Sequence, residues 1–112
     1  MKPYDKRQRM IAEILNEFNF KRVHRAMRAL DWRWGFDAKT PSIDELRDSA
    51  RERMESAMDG CLKSDDVTEG IPYMSSSGGL KATAYKDSYG QIDHLELEFI
   101  LTEWDSDGQE FN

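Results

Sequence analysis

The chain contains a single cysteine, Cys61, among its 112 residues, so no internal disulfide framework holds it together. Histidine is almost as scarce: His24 and His94 stand far apart. One thiol and two distant imidazoles provide none of the ligand spacings of a zinc site, and no metal or other cofactor is expected. No uninterrupted apolar stretch of about 18 residues occurs, so no membrane-spanning helix is expected. Nor does any run resemble the apolar centre of a signal peptide, and a cytoplasmic protein is the expectation. The segment Ser75-Ser76-Ser77-Gly78-Gly79 has the small residues of a phosphate loop but not its G-x-x-x-x-G-K-[ST] frame. It also leads toward a strand rather than a helix N-terminus.

Charge is what the sequence has in abundance. Charged residues make up 34% of the chain, beside 11% aromatics. That aromatic content sets it apart from disordered sequences, and its length suits one domain over residues 1–112 that buries roughly two-thirds of its surface. The net charge of −6 conceals a division. Residues 1–34 hold nine Lys/Arg against four Asp/Glu, whereas residues 35–112 hold seven against eighteen. Such asymmetry fits a basic part that meets an anion and an acidic part that meets a basic protein surface. It equally fits two parts that neutralise each other, within one molecule or across a homodimer.

The first 30 residues read as helix. Met10, Ile11, Ile14, Leu15 and Phe18 recur at helical spacing. The pattern breaks at Asn16-Glu17-Phe18-Asn19, where asparagine competes for backbone hydrogen bonds. Asn19 is therefore read as the N-cap of a second helix, with Phe20, Val23, Met27 and Leu30 as its buried stripe. One long kinked helix is the alternative. Trp32 and Trp34 alternate with Arg33, a period of two that predicts a short strand with both indoles in the core and Phe36, beyond Gly35, exposed. Residues 40–60 read as a helix. Its start is either Thr40 with Pro41 behind it or a Ser42–Glu45 capping box, and Gly60 is read as its C′ residue. Ile43, Leu46, Ala50, Met54, Ala57 and Met58 form its apolar stripe.

Residues 63–79 read as a long loop, with Ile71–Met74 a short extended piece inside it. A hairpin follows, because Leu80–Tyr85 and Leu95–Phe99 both alternate. Leu80, Ala82 and Ala84 share its inner face with Leu95, Leu97, Phe99 and Leu101. The alanines leave room for a helix, and Lys81 and Tyr85 face Glu96, Glu98 or His94 on the outside. Asp105–Asn112 is read as a frayed acidic tail. The expected fold is α+β: two or three helices on one face of a small antiparallel sheet, made of the C-terminal hairpin and a third strand near Trp32-Trp34.

No catalytic constellation emerges. His24 lies among cations, and His94 lies on a solvated face beside Asp93 and Glu96. Cys61 is placed just past a helix C-terminus, where the dipole disfavours a thiolate. Glu103–Gly108 looks like the opening of an EF-hand loop but has no glutamate at loop position 12. A non-enzyme is expected. The main positive signal is Lys21, Arg22, Arg25 and Arg28, whose spacing lines one side of a helix and suits phosphates or a carboxylate-rich surface. A pI of about 4.9 weighs against nucleic acid. The acidic candidates are Asp44, Asp48, Glu52 and Glu55 on the 40–60 helix, and Glu96 and Glu98 on the hairpin.

Several pieces taken together resemble small accessory proteins of tailed phages and prophages. They are Phe20-Lys21-Arg22-Val23 with Met27-Arg28-Ala29-Leu30, Asp31-Trp32-Arg33-Trp34, Pro41-Ser42-Ile43-Asp44-Glu45-Leu46, Ser77-Gly78-Gly79-Leu80-Lys81-Ala82 and Leu95-Glu96-Leu97-Glu98-Phe99. The resemblance spans roughly residues 18–104 and carries over no catalytic residue. What it implies is a cytoplasmic protein that binds and inhibits a host protein, with a CRISPR effector or another nucleic-acid-binding defence complex as the target; independently of the resemblance, a monomer or a homodimer is expected. Direct nucleic-acid or nucleotide binding through residues 21–28 is the alternative.

Overall fold

A computed structural model describes residues 3–33, 39–63 and 73–100. The chain folds as α1 (Pro3–Glu17), α2 (Phe20–Ala29), α3 (Ile43–Lys63), β1 (Tyr73–Ser77), β2 (Leu80–Lys86) and β3 (Ile92–Phe99). The strands form one antiparallel sheet in the order β1-β2-β3. This is the expected α+β class, with helices set against a small antiparallel sheet.

The joint between α1 and α2 falls at Asn19. Its side chain accepts a hydrogen bond from the Arg22 N–H at 3.1 Å, as an N-cap should. Two helices are present, not one kinked helix. Phe18 and Phe20 flank the joint with their rings 4.8 Å apart, edge to face. Ile11 and Leu15 of α1 are buried, as are Phe20, Val23, Ala26 and Met27 of α2. Leu30 departs from the predicted stripe: it is the C-cap residue and is 56% exposed.

The end of α2 also corrects the strand expected around Trp32. Asp31 adopts a left-handed backbone, φ 53°. Its N–H reaches the Arg28 carbonyl at 3.2 Å, and the Trp32 N–H reaches the Met27 carbonyl at 2.8 Å. These paired bonds are a Schellman motif. Trp32 is thus the residue that closes a helix, not part of the sheet. Its half-buried indole still packs on the core, 5.5 Å from the Phe99 ring. Trp34, Phe36 and Leu101 lie outside the described residues, as does the 105–112 tail.

Helix α3 begins with the capping box. The Ser42 hydroxyl accepts from the Glu45 N–H, and the Glu45 carboxylate accepts from the Ser42 N–H, each at 3.1 Å. Leu46, Ala50, Met54, Ala57, Met58 and Cys61 are buried along one side. The helix touches all three strands and both other helices, so it is the centre of the fold. It does not stop at Gly60 but runs on to Lys63. Gly60 serves for space instead, because a Cβ there would collide with the Tyr73 ring.

The third strand of the sheet is β1, inside the segment read as loop. Gly78 and Gly79 both have positive φ, 61° and 88°. They form the two-residue turn whose twist suits a hairpin, a conformation that glycine adopts without strain. Ser77 therefore pairs with Leu80, Ser75 with Ala82 and Tyr73 with Ala84. On the other side of β2, Leu80 pairs with Phe99, Ala82 with Leu97 and Ala84 with Leu95. The β2–β3 turn is held by the Asp87 carboxylate, which accepts from the N–H groups of Tyr89 and Gln91. The alanines of β2 are fully buried on the inner face, which is the face α3 covers.

Candidate partner-binding surfaces

The predicted site residues fall on three separate elements. Lys21, Arg22, Arg25 and Arg28 are all exposed on α2. Phe20, Val23, Ala26 and Met27 face inward, which turns the cationic side out. The helix has no carboxylate within Phe20–Ala29. Among the described residues, Lys21, Arg25 and Arg28 form no ion pair with the acidic helix α3. Alpha-helical geometry keeps such i, i+3 and i, i+4 neighbours about 5–6 Å apart.

The structure adds a cation that the sequence reading missed. Arg47 of α3 places its guanidinium 5.5 Å from the centre of the Phe20 ring, in cation–π range. It stands at the first turn of α2, over the ring that α2 turns inward, and ties two helices remote in sequence. The i, i+3 spacing from Asp44 gave no sign of this role, because it depends on how α2 crosses α3.

The acidic candidates are not one surface. Asp44, Asp48 and Glu52 are exposed on α3 and Glu55 is half-exposed, with steps of four, four and three along one side. Arg47 and Arg51 border that line at helical neighbour spacing, so its field is mixed in sign. Glu96 and Glu98 instead project from the outer face of β3, with the sheet between them and α3. There the Glu98 carboxylate lies 3.3 Å from the Lys81 ammonium, and Glu96 lies 2.9 Å from the His94 ring nitrogen. The Tyr85 and His94 rings pair across the strands at 5.3 Å. The outer face therefore carries the expected cross-strand pairs, and its carboxylates have local partners. Of the three candidate surfaces, α2 alone is of one sign.

The nucleophile candidates are dispersed. Cys61 lies within the last turn of α3, not beyond it, and is fully buried. Burial pushes its thiol pKa up, with Lys86 opposing and Asp93 reinforcing the shift. Desolvation, rather than the helix dipole alone, thus disfavours its thiolate. His94 stands on the opposite side of the sheet, and His24 is half-buried on α2. No group of three or more His, Cys, Asp or Glu side chains that could hold a metal occurs among the described residues. Among them, too, no helix is long and apolar enough to cross a membrane.

Compared with known proteins, the chain matches no protein-family model, no curated protein and no solved structure.

Proposed function

We propose that the chain is a non-enzymatic binding protein of phage or prophage origin that inhibits a host protein. The target class is a nucleic-acid-binding defence complex such as a CRISPR effector. The observation that carries this reading is the α2 face. A chain of net charge −6 has ample carboxylates to neutralise four cations. Yet Lys21, Arg25 and Arg28 have no ion-pair partner among the described residues, and α2 offers them outward. A charge face left open in this way suits a carboxylate-rich partner surface. The α3 line of Asp44, Asp48, Glu52 and Glu55 supplies a second contact, suited to the basic wall of a nucleic-acid channel. The resemblance to phage accessory proteins supplies the biological context.

The same α2 face supports a second reading, direct binding of nucleic-acid phosphates. The overall acidity argues against it, because a non-specific binder normally has a pI above about 9. The test of the first reading is infection. The chain is expressed in bacteria whose defence systems restrict a test phage, and the efficiency of plating is measured for each system. The reading predicts restored plating against at least one system. Unchanged restriction across CRISPR and non-CRISPR systems would remove it.

A further inference from the structure

The sheet has two edges, and they differ in chemistry. The β3 edge strand carries Asp93, Glu96 and Glu98, so carboxylates guard it. The β1 strand, Tyr-Met-Ser-Ser-Ser, has no charge, no proline and no bulge, the devices by which proteins protect an edge from pairing. Among the described residues no strand pairs with its outer side. The two-residue turn makes Ser77 and Leu80 a hydrogen-bonded pair. Alternation then points the N–H and C=O of Tyr73, Ser75 and Ser77 toward β2 and those of Met74 and Ser76 toward the free edge.

Under that edge sits a cation. Arg53 of α3 donates from Nη1 to the Ser75 hydroxyl at 3.4 Å, a long hydrogen bond, and its Nη2 lies 3.7 Å from the exposed Glu52 carboxylate. Its Nε is buried with no hydrogen-bond partner. A guanidinium has several N–H donors, so Arg53 is under-bonded, and its side chain is 24% exposed rather than sealed. By helical spacing, Ser49 and Ser56 share Arg53's side of α3, and Gly60 continues it beneath the Tyr73 ring. These small residues keep the helix surface beside β1 low, and Arg53 gives it positive charge.

We infer that β1 is the docking edge for an extended segment of a partner protein, added antiparallel as a further strand and carrying an Asp or Glu opposite Ser75. The residues opposite Met74 and Ser76 exchange both N–H···O bonds with them, which satisfies the outward groups of that pair. The residue opposite Ser75 is a close, non-hydrogen-bonded neighbour on the inner face, so its carboxylate meets the Arg53 guanidinium. Two residues further along the segment, an apolar side chain covers the Tyr73 ring, which is 37% exposed. The segment recognised is thus acidic-x-apolar in an extended conformation. Main-chain bonds give the affinity, and Arg53 selects the charge. A second copy of β1 has no carboxylate to offer in that place, since the strand is uncharged throughout. The site shares no residue with the α2 face and does not depend on it.

The test is NMR of the isotope-labelled full chain with two end-blocked peptides, Thr-Val-Thr-Glu-Thr-Val-Thr and the same sequence with Lys in place of Glu. In the free chain the Met74 and Ser76 amides should exchange quickly with solvent. The Glu peptide should slow that exchange, shift the β1 amides and bind at least about tenfold tighter than the Lys peptide. Arg53→Met should erase the preference. Ser76→Pro, which removes an outward N–H, should abolish binding of both peptides. Should either variant unfold, the wild-type preference and its place on β1 decide. Slow exchange of Met74 and Ser76 in the free chain overturns the inference, whether a segment of this chain or a second copy covers the edge. So do equal affinities for the two peptides, a preference that survives in folded Arg53→Met, and binding by folded Ser76→Pro. An absence of shifts at about 1 mM peptide, or shifts confined to α2, overturns it as well.

Discussion

The ring of Tyr73 occupies the space where a side chain on Gly60 would stand. This contact ties the last turns of α3 to the first residue of β1 and sets how the edge strand approaches the helix. Glycine inside a helix costs about 1 kcal/mol relative to alanine, so its presence at position 60 is a concession to the ring. Gly60→Ala alone should destabilise the fold, because displacing the Tyr73 ring outweighs the helix gain. In a Tyr73→Ala background the same substitution should stabilise by about 1 kcal/mol. Denaturant unfolding of the four proteins in the cycle measures this. The same sign in both backgrounds would contradict the contact.

The left-handed backbone at Asp31 gives a second expectation. A side chain in that conformation is strained, and glycine is the usual occupant of this place in a Schellman motif. Asp31 partly offsets the strain through its carboxylate, which lies 3.0 Å from Arg33. That pair is exposed and contributes little. Asp31→Gly should therefore stabilise the domain by about 0.5–1 kcal/mol, read as a rise in the unfolding midpoint. A loss of stability would mean that the ion pair outweighs the backbone strain.

Cys61 should behave as a structural residue. Its thiol is buried and its pKa raised, so the thiolate fraction at neutral pH is reduced and shielded. A thiol reagent at pH 7.5 should modify it only at the rate of unfolding, and promptly in denaturant. Rapid labelling of the native protein would reveal an accessible, activated thiol instead.

Met27 anchors α2 to the core and is fully buried. A helix of ten residues is not stable alone in water, so α2 depends on such anchors. Met27→Ala should cost about 2–5 kcal/mol in denaturant unfolding. It should also lower the hydrogen-exchange protection of α2 amides more than that of β2 amides. Equal losses in both would mean that α2 and the sheet unfold as one unit.

Much of this architecture was legible where a regular period coincided with buried residues. The helical stripes, the Asn19 cap, the Ser42–Glu45 box and the β2–β3 alternation could all be read, because each is a local preference that the tertiary fold keeps. What escaped was set by long-range contacts. Ser75, Ser76 and Ser77 have no strong strand preference, and β1 owes its extended form to pairing with β2. Gly78-Gly79 was the available hairpin signal, but beside three serines it read as a loop. Trp32 and Trp34 suggested a strand by alternation, whereas Trp32 is fixed by two backbone bonds that close α2. Gly60 suggested a helix end, whereas its role is to leave room for an aromatic ring. Among the candidate site residues, the α2 cations were visible at once. Arg47 was not, since its neighbour is Phe20 of a different helix.

The central claim is that the open charge faces bind a partner. It is tested most directly by comparing two variants with wild type in the plating assay. One carries Lys21→Glu, Arg25→Glu and Arg28→Glu; the other carries Asp44→Lys, Asp48→Lys and Glu52→Lys. All six side chains are exposed, so both variants should keep the wild-type circular dichroism. The account predicts that wild type restores plating of a restricted phage, that the α2 variant loses this activity, and that the α3 variant is weakened. Full activity in the folded α2 variant would contradict it.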